Sequence, residues 1–120
     1  MKIRVTIPTP ASDFEKVMKA LDESHGHLTR EEAAVMVHLS PAQFSRQFKR
    51  LTGTRFREAQ VAMKIRRGAW LLVNTNLQIR KIADLLAYSE PAKFQKTFRR
   101  ILGVNPSQYR MQMAKVRDVC

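Results

Sequence analysis

The chain contains one short pattern twice, and this repeat limits the folds open to it. In residues 39–53 and again in residues 86–103, two phenylalanines four positions apart are followed by two basic residues and a glycine. The matched residues are Phe44, Phe48, Lys49, Arg50 and Gly53 in the first copy and Phe94, Phe98, Arg99, Arg100 and Gly103 in the second. Residues four apart share one face of an α-helix. The repeat therefore predicts two equivalent short helices, each with an apolar face against a core and a basic face in solvent.

The excess of basic residues indicates an anionic partner. The chain has 22 Lys and Arg against 10 Asp and Glu, and its formal net charge is +12. Residues 33–117 contain 17 of these bases and three of the acids, so the repeated region carries the charge. Two equivalent basic helices suit a polyanion that itself repeats, and double-stranded DNA is the partner we expect.

Three other functions are compatible with a basic chain. A nonspecific, chromatin-type nucleic-acid binder would share the charge, and a protein-interaction module would be basic for unrelated reasons. An RNA binder would need aromatic side chains on a polar face for unstacked bases, and the sequence lacks them. An enzyme is not expected, because the sequence offers no nucleophile with its base, no catalytic carboxylate pair and no phosphate-cradling glycine loop.

Cysteine and histidine usage gives no sign of a metal or cofactor site. The single cysteine is Cys120, and His25, His27 and His38 have no cysteine or carboxylate at ligand spacing. No apolar run approaches the roughly 20 residues that a membrane span needs, and no signal-peptide pattern opens the chain. We therefore expect no metal, no cofactor, no membrane partner and a place in the reducing cytoplasm.

Capping and termination signals divide the chain into about seven helices, which predicts an all-α fold. Capping-box pairs occur at Ser12 with Glu15 and at Thr29 with Glu32. Three of the predicted helices span about 13–24, 56–73 and 79–86. A fourth is opened by Thr29, a fifth is capped by Ser40 and closed by Gly53, and a sixth is capped by Ser89 and closed by Gly103. The last is opened by Asn105 and Pro106 and runs through 113.

These helices group into two units. Residues 12–73 form the first, including the long helix at 56–73 as a linker, and residues 74–113 form the second. An arm or linker at 1–11 and a tail at 114–120 flank them. Helical spacing predicts that Leu51 shares the core face of Phe44 and Phe48. Trp70, which stands beside Leu71 on the linker helix, is expected to pack in the protein interior.

The second unit resembles the DNA-binding domain of AraC/XylS-type bacterial transcription regulators. Its sequence IADLLAYSEPAKFQKTFRRILGVNPSQYR agrees with the family pattern at Ile82, Ala83, Tyr88, Phe94, Phe98, Arg99, Arg100, Gly103, Pro106, Tyr109 and Arg110. The resemblance covers about residues 13–113 and implies a homeodomain-like fold with two helix-turn-helix units joined by a long central helix. Ala87 and His38 stand where the family usually has a turn glycine, and Gly68 replaces a usual alanine of the long helix.

Helical geometry and the resemblance together assign the residues that would touch DNA. Opposite the phenylalanines lie Ala42, Ser45, Arg46 and Lys49 in the first copy and Ala92, Gln95, Lys96 and Arg99 in the second, with Lys93 beside them. The resemblance implies base contacts from Ala42, Ser45, Arg46, Ala92, Lys93 and Lys96, and Gln95 has the chemistry to pair with adenine. Phosphate contacts are expected from Lys49, Arg50, Arg55, Arg57, Lys81, Arg99, Arg100 and Ser107.

The function implied is sequence-specific binding of double-stranded DNA by a bacterial transcription regulator with two recognition helices in adjacent major grooves. We expect a monomer that works in the cytoplasm on the nucleoid, with RNA polymerase as a further partner. The chain is either a small stand-alone regulator or the C-terminal part of a longer one.

Overall fold

The structure is a computed structural model that describes the backbone of residues 11–119 and the side chains of residues 13–116. Seven α-helices and no strand occur in that part of the chain, which confirms the all-α prediction. The helices are α1 (Ala11–Glu23), α2 (Arg30–Met36), α3 (Pro41–Thr52), α4 (Phe56–Asn74), α5 (Ile79–Leu85), α6 (Pro91–Leu102) and α7 (Pro106–Val119). The predicted arm before residue 11, the capping side chain of Ser12 and the terminal Cys120 lie outside the described residues.

The described residues form two compact units that divide within α4. Unit 1 comprises residues 11–63 and unit 2 comprises residues 64–119. The sequence placed this boundary at the end of the long helix, but α4 contributes its first half to the core of unit 1 and its second half to that of unit 2. The segment from 114 to 119, expected as a tail, is helical because α7 meets no proline or glycine before Val119.

Capping boxes fix the starts of α2 and α3. Thr29 Oγ1 accepts a hydrogen bond from the backbone N–H of Glu32 at 3.0 Å, and the Thr29 N–H donates to Glu32 Oε1 at 2.9 Å. Ser40 and Gln43 exchange the same two bonds at 3.2 and 3.1 Å. Hydrogen bonds from Thr29 hold the pKa of the Glu32 carboxyl below its usual value. Because the carboxylate is the stabilised form, its contribution is present at neutral pH and is lost as the pH falls through that lowered pKa.

The start of α6 differs from that of α3, and the prediction that Ser89 caps it is wrong. Glu90 occupies the N-cap position before Pro91, and its side chain makes no capping hydrogen bond. The turn of unit 2 has one more residue than that of unit 1 between the left-handed residue (Ala87, φ 64°; His38, φ 59°) and the first helical proline. That extra residue shifts Ser89 out of reach of the α6 amides, and its hydroxyl accepts instead from Lys93 Nζ at 3.3 Å.

The two serines are therefore expected to respond differently to the same substitution. Ser40→Ala removes a capping side chain and should lower the free energy of unfolding by about 1 kcal/mol. Ser89→Ala, its matched control, should change that free energy by less than about 0.5 kcal/mol. Urea unfolding followed by circular dichroism measures both. Equal losses in the two variants would contradict the different capping of α3 and α6.

Unit 1 has a core built around four phenylalanine rings. Its buried residues are Phe14, Val17, Leu21, Ala33, Ala34, Val37, Phe44, Phe48 and Phe56. The ring of Phe56 meets those of Phe44 and Phe48 edge-on, with centroids 5.0 and 5.2 Å apart. Leu51 is 53% exposed, so its predicted place on the core face is wrong. It lies in the last turn of α3, and Phe56 from the start of α4 occupies the apolar space beside the two rings instead.

Unit 2 repeats this arrangement with different side chains. Its buried residues include Ile65, Leu71, Leu72, Ile82, Ala83, Leu86, Phe94 and Phe98. The Phe98 ring lies between those of Phe94 and Tyr109, at 5.7 and 5.3 Å. Gly68 gives α4 room for this packing, because a Cβ there would meet Leu86 Cδ1 and Phe94 Cε1 at 3.0 Å.

Trp70 is not part of this core, and the prediction of interior packing is wrong. The side chain is 49% exposed, and the guanidinium of Arg67 stacks over its ring at 4.3 Å from the centroid. The buried face of α4 runs through Leu71 and Leu72, so Trp70 falls at its edge.

Candidate nucleic-acid interface

Unit 1 has an open cleft of about 890 Å³ between the start of α2, the middle of α3 and the start of α4. Eleven residues line it: Thr29, Arg30, Glu31, Ser45, Arg46, Lys49, Arg50, Arg55, Phe56, Arg57 and Gln60. Six of them are cations and one is an acid. The cleft therefore presents a concentrated positive charge on one side of the unit.

Local structure explains why these cations converge. On α3, burial of Phe44 and Phe48 leaves Arg46, Lys49 and Arg50 exposed on the other side. Gly53 ends α3 with φ 78°, a left-handed conformation that suits glycine, and the chain turns back to begin α4 at Phe56. Arg55 and Arg57 flank this start, so two elements deliver their cations to the same cleft.

Few of these cations are neutralised within the protein. In the part of the chain whose side chains are described, the ion pairs are Lys16 with Asp13 at 3.9 Å and Arg30 with Glu31 at 3.4 Å. Arg30 is thus the one cation of the unit 1 cleft paired to a described carboxylate. The others remain available to an external anion.

Unit 2 has a corresponding cleft of about 540 Å³, lined by Gln95, Lys96, Arg99, Arg100 and Asn105. The first four project from α6, and Asn105 directly precedes α7, where its Oδ1 accepts from the Gln108 N–H at 2.8 Å. Gly103, with φ 84°, makes the same left-handed turn as Gly53. Burial raises the pKa of the Tyr88 hydroxyl nearby on the turn before α6, so this phenol is neutral at physiological pH.

The predicted site residues fall into two groups. The clefts contain Ser45, Arg46, Lys49, Arg50, Arg55 and Arg57 in unit 1 and Gln95, Lys96, Arg99 and Arg100 in unit 2. Ala42, Ala92, Lys93, Lys81 and Ser107 do not line either cleft, and all five are exposed. The sequence reasoning missed Arg30 and Glu31 as cleft residues. They flank the Thr29 cap, but no signal in the sequence shows that α2 begins beside α3.

In each unit a long polar side chain of the last helix, α4 or α7, donates hydrogen bonds to the backbone that precedes α2 or α5. In unit 1, Gln60 Nε2 donates to the carbonyl of Leu28 at 2.8 Å. In unit 2, Arg110 Nε and Nη2 donate to the carbonyls of Leu72 and Thr75 at 3.0 and 3.2 Å. Gln60 and Arg110 occupy equivalent positions, seven residues after Gly53 and Gly103. These bonds hold the start of α4 or α7, and with it the cleft edge, in place.

The described residues contain no group of three or more His, Cys, Asp or Glu side chains arranged to hold a metal ion. None of the described helices is both long and apolar enough to cross a membrane. What the two clefts offer chemically is a set of guanidinium, ammonium and amide donors for a large anion.

Comparison with known proteins agrees with this chemistry. A family model described as a helix-turn-helix domain matches residues 33–112. The regulatory protein PocR of Salmonella typhimurium is 34% identical over 110 residues, which are 88% of this chain and 36% of PocR. The transcriptional activator RclR of Escherichia coli is 27% identical over 83% of this chain and 36% of its own length. The chain thus spans about a third of the length of each of these two relatives.

Solved structures give the same result. The DNA-binding domain of the transcriptional factor AdpA, determined in complex with a target DNA, superposes with a TM-score of 0.75 at 25% identity, covering 88% of this chain and 96% of that domain. An AraC-type regulator from Chromobacterium violaceum has the same fold, with a TM-score of 0.79 at 23% identity over 87% of this chain and 94% of its own.

Two units of this fold, each with a basic face beside a buried phenylalanine pair, define a helix-turn-helix DNA-binding domain. The chain belongs to the AraC/XylS-type family of such domains. The family resemblance drawn from the sequence is therefore confirmed. Members of this family are DNA-binding transcription regulators, so the expectation that the chain is not an enzyme is confirmed as well.

Proposed function

We propose that this chain binds double-stranded DNA at a specific sequence and regulates transcription, with α3 and α6 as recognition helices in adjacent major grooves. One observation carries the proposal: both units expose a basic face, on α3 and on α6, directly opposite a buried phenylalanine pair. A core on one side of a short helix and polar donors on the other is the arrangement that presents side chains to base edges.

The exposed residues divide by chemistry into readers and phosphate contacts. Ala42, Ser45 and Arg46 of α3 and Ala92, Lys93, Gln95 and Lys96 of α6 would face base edges. Arg donates two hydrogen bonds to guanine, Gln pairs with adenine, and alanine lies against a thymine methyl. Lys49, Arg50, Arg55, Arg57, Lys81, Arg99, Arg100 and Ser107 would contact phosphates, which fix register without reading sequence.

Selection of bound sequences from random duplex DNA tests the whole proposal. Because the two units are similar but not identical, a monomer should select one asymmetric site of roughly 20 base pairs, and footprinting should protect two major-groove segments. A palindromic site would instead require a second copy of the chain, and protection confined to one half-turn at saturation would refute docking of both units.

Arg46 and Arg50 provide a matched test of reading against phosphate contact. Both are exposed arginines of α3 in the unit 1 cleft. Arg46→Ala should cost about 1 to 3 kcal/mol of binding on the selected site and remove preference at one base pair. Arg50→Ala should weaken binding to every duplex alike. Competition binding with single-base variants of the site measures both effects. A uniform loss in Arg46→Ala would remove it from the readers.

The same proposal places the protein in the bacterial cytoplasm, on the nucleoid, with RNA polymerase as a second partner. The names of the curated relatives, which describe a regulatory protein and a transcriptional activator, support this placement. Pull-down of RNA polymerase by the DNA-bound chain, compared with the free chain, tests this partner.

A further inference from the structure

The unit 1 cleft contains one carboxylate among its six cations. Glu31, the second residue of α2, lines the cleft together with the proposed reader Arg46 and the proposed phosphate contacts Lys49 and Arg50. A carboxylate in that position repels DNA phosphates and lowers the local positive potential. Binding of DNA alone does not account for it.

Folding accounts for only a small part of it, because Glu31 lies in the first turn of α2, where the helix dipole favours an acid. Glu31 Oε2 accepts from Arg30 Nη2 at 3.4 Å, and both side chains are more than half exposed. An exposed ion pair of this kind adds little to stability. The neighbouring Glu32 has the larger structural role, because its carboxylate completes the capping box with Thr29. Glu32 does not line the cleft.

The second unit lacks this pair. Counted back from the left-handed residues His38 and Ala87, the positions of Arg30 and Glu31 correspond to Ile79 and Arg80. Arg80 is exposed and its Nη2 lies 3.5 Å from Gln78 Oε1, a neutral partner. The positive charge at the start of α2 in unit 1 is therefore neutralised, whereas the start of α5 in unit 2 is basic.

We propose that Glu31 holds Arg30 in an ion pair and thereby withholds one phosphate contact from unit 1. This inference rests on the proposed function. The withheld contact is sequence-independent, so its loss weakens complexes with every duplex, random or preferred. Sites without good base contacts are then vacated first, and occupancy depends more on Arg46 and the other readers.

The variant that tests this is Glu31→Gln in the whole chain. One added phosphate contact changes the slope of log affinity against log salt by about −0.9. At about 0.1 M salt this raises the affinity close to eightfold. Affinity for both a preferred and a random duplex should rise about five- to tenfold, and the slope should steepen by about 0.9. Glu32→Gln is the control, since it removes the same charge but keeps a capping side chain. The affinity of the Glu32→Gln variant for both duplexes should stay within about twofold of that of the wild-type chain.

A double-mutant cycle tests the ion pair itself. Arg30→Gln should change affinity by less than about twofold in the wild-type background, and should lower it by about fivefold or more in the Glu31→Gln background. Equal effects of Arg30→Gln in both backgrounds would overturn the inference.

Three other results would also overturn it: no gain from Glu31→Gln, an equal gain from Glu32→Gln, or a loss confined to sites with one particular base pair. The last would make Glu31 a reader that accepts from a cytosine amino group. Wild-type binding to the same duplexes separates this failure from that of the proposed function. If the wild-type chain binds no duplex, the proposed function fails; if it binds and Glu31→Gln gains nothing, only this inference fails.

Discussion

Replacing Phe98 with alanine is expected to lower the free energy of unfolding of unit 2 by about 3 to 5 kcal/mol and to abolish DNA binding through loss of fold. The side chain is fully buried between the rings of Phe94 and Tyr109, so its removal leaves a cavity that the small unit cannot close. That loss approaches the lower end of the total stability of native proteins, which is about 5 to 15 kcal/mol. Urea unfolding measures the loss, and duplex binding is measured in parallel.

Leu102→Ala is the control for this substitution. Leu102 ends the same helix but is 41% exposed, so its truncation should cost less than about 1 kcal/mol and leave binding intact. Phe48→Ala should reproduce the Phe98 result in unit 1, because Phe48 has the equivalent place beside Phe44 and Phe56. A stably folded Phe98→Ala variant that lost only its base preference would mean that the phenylalanine contacts DNA.

Salt should weaken DNA binding steeply. If about 6 to 10 of the 17 bases between residues 33 and 117 contact phosphates, log affinity should fall against log salt with a slope near −0.9 per contact. Between about 50 and 200 mM salt the affinity should then drop about a thousandfold to a hundred-thousandfold, because each contact releases a condensed counterion. Fluorescence anisotropy with a labelled duplex across a salt series gives the slope.

The slope alone does not distinguish a regulator from a nonspecific coat of the chromatin type. The proposed function requires, in addition, a preferred site bound at least about a thousandfold more tightly than random duplex. A shallow slope would favour a protein-interaction module, and undiminished affinity for RNA in place of duplex DNA would favour an RNA binder. Both outcomes would contradict the proposed function.

The sequence predicted the helices well because their boundaries are set locally. Thr29 with Glu32, Ser40 before Pro41, and the left-handed Gly53 and Gly103 each act within one turn of their own helix. Such signals can be recognised in the sequence without knowledge of the tertiary structure. The phenylalanine pairs were equally clear, because spacing of four residues alone puts both rings on one face.

The predictions that failed depended on what lies beyond the local helix. Leu51 has the spacing of a core residue, but Phe56 fills the adjoining space from another helix. Trp70 was expected in the interior because it stands among apolar residues of α4, but it lies at the edge of the buried face of that helix. Serine is a common N-cap residue, but a single additional residue before Pro91 puts Glu90 and not Ser89 at the N-cap position.

Prediction of the interface has the same limits. Periodicity placed Arg46, Lys49, Arg99 and Arg100 on exposed faces, and these residues do line the clefts. Arg30 and Glu31 were missed because they reach the cleft through the packing of α2 against α3, a contact between separate elements. Whether the predicted readers touch bases remains a prediction, which the Arg46 and Arg50 variants test.

The shared use of α4 has a consequence for protein synthesis and for the design of truncations. A nascent chain that has reached Gly53 already contains the first helix-turn-helix but lacks Phe56, whose ring completes the aromatic cluster, and Gln60, which bonds back across 32 residues to Leu28. The ribosome must therefore release the first half of α4 before unit 1 can close. Because Ile65 and Gly68 then belong to the core of unit 2, a cut or fusion joint within this helix leaves both cores whole only between Met63 and Lys64.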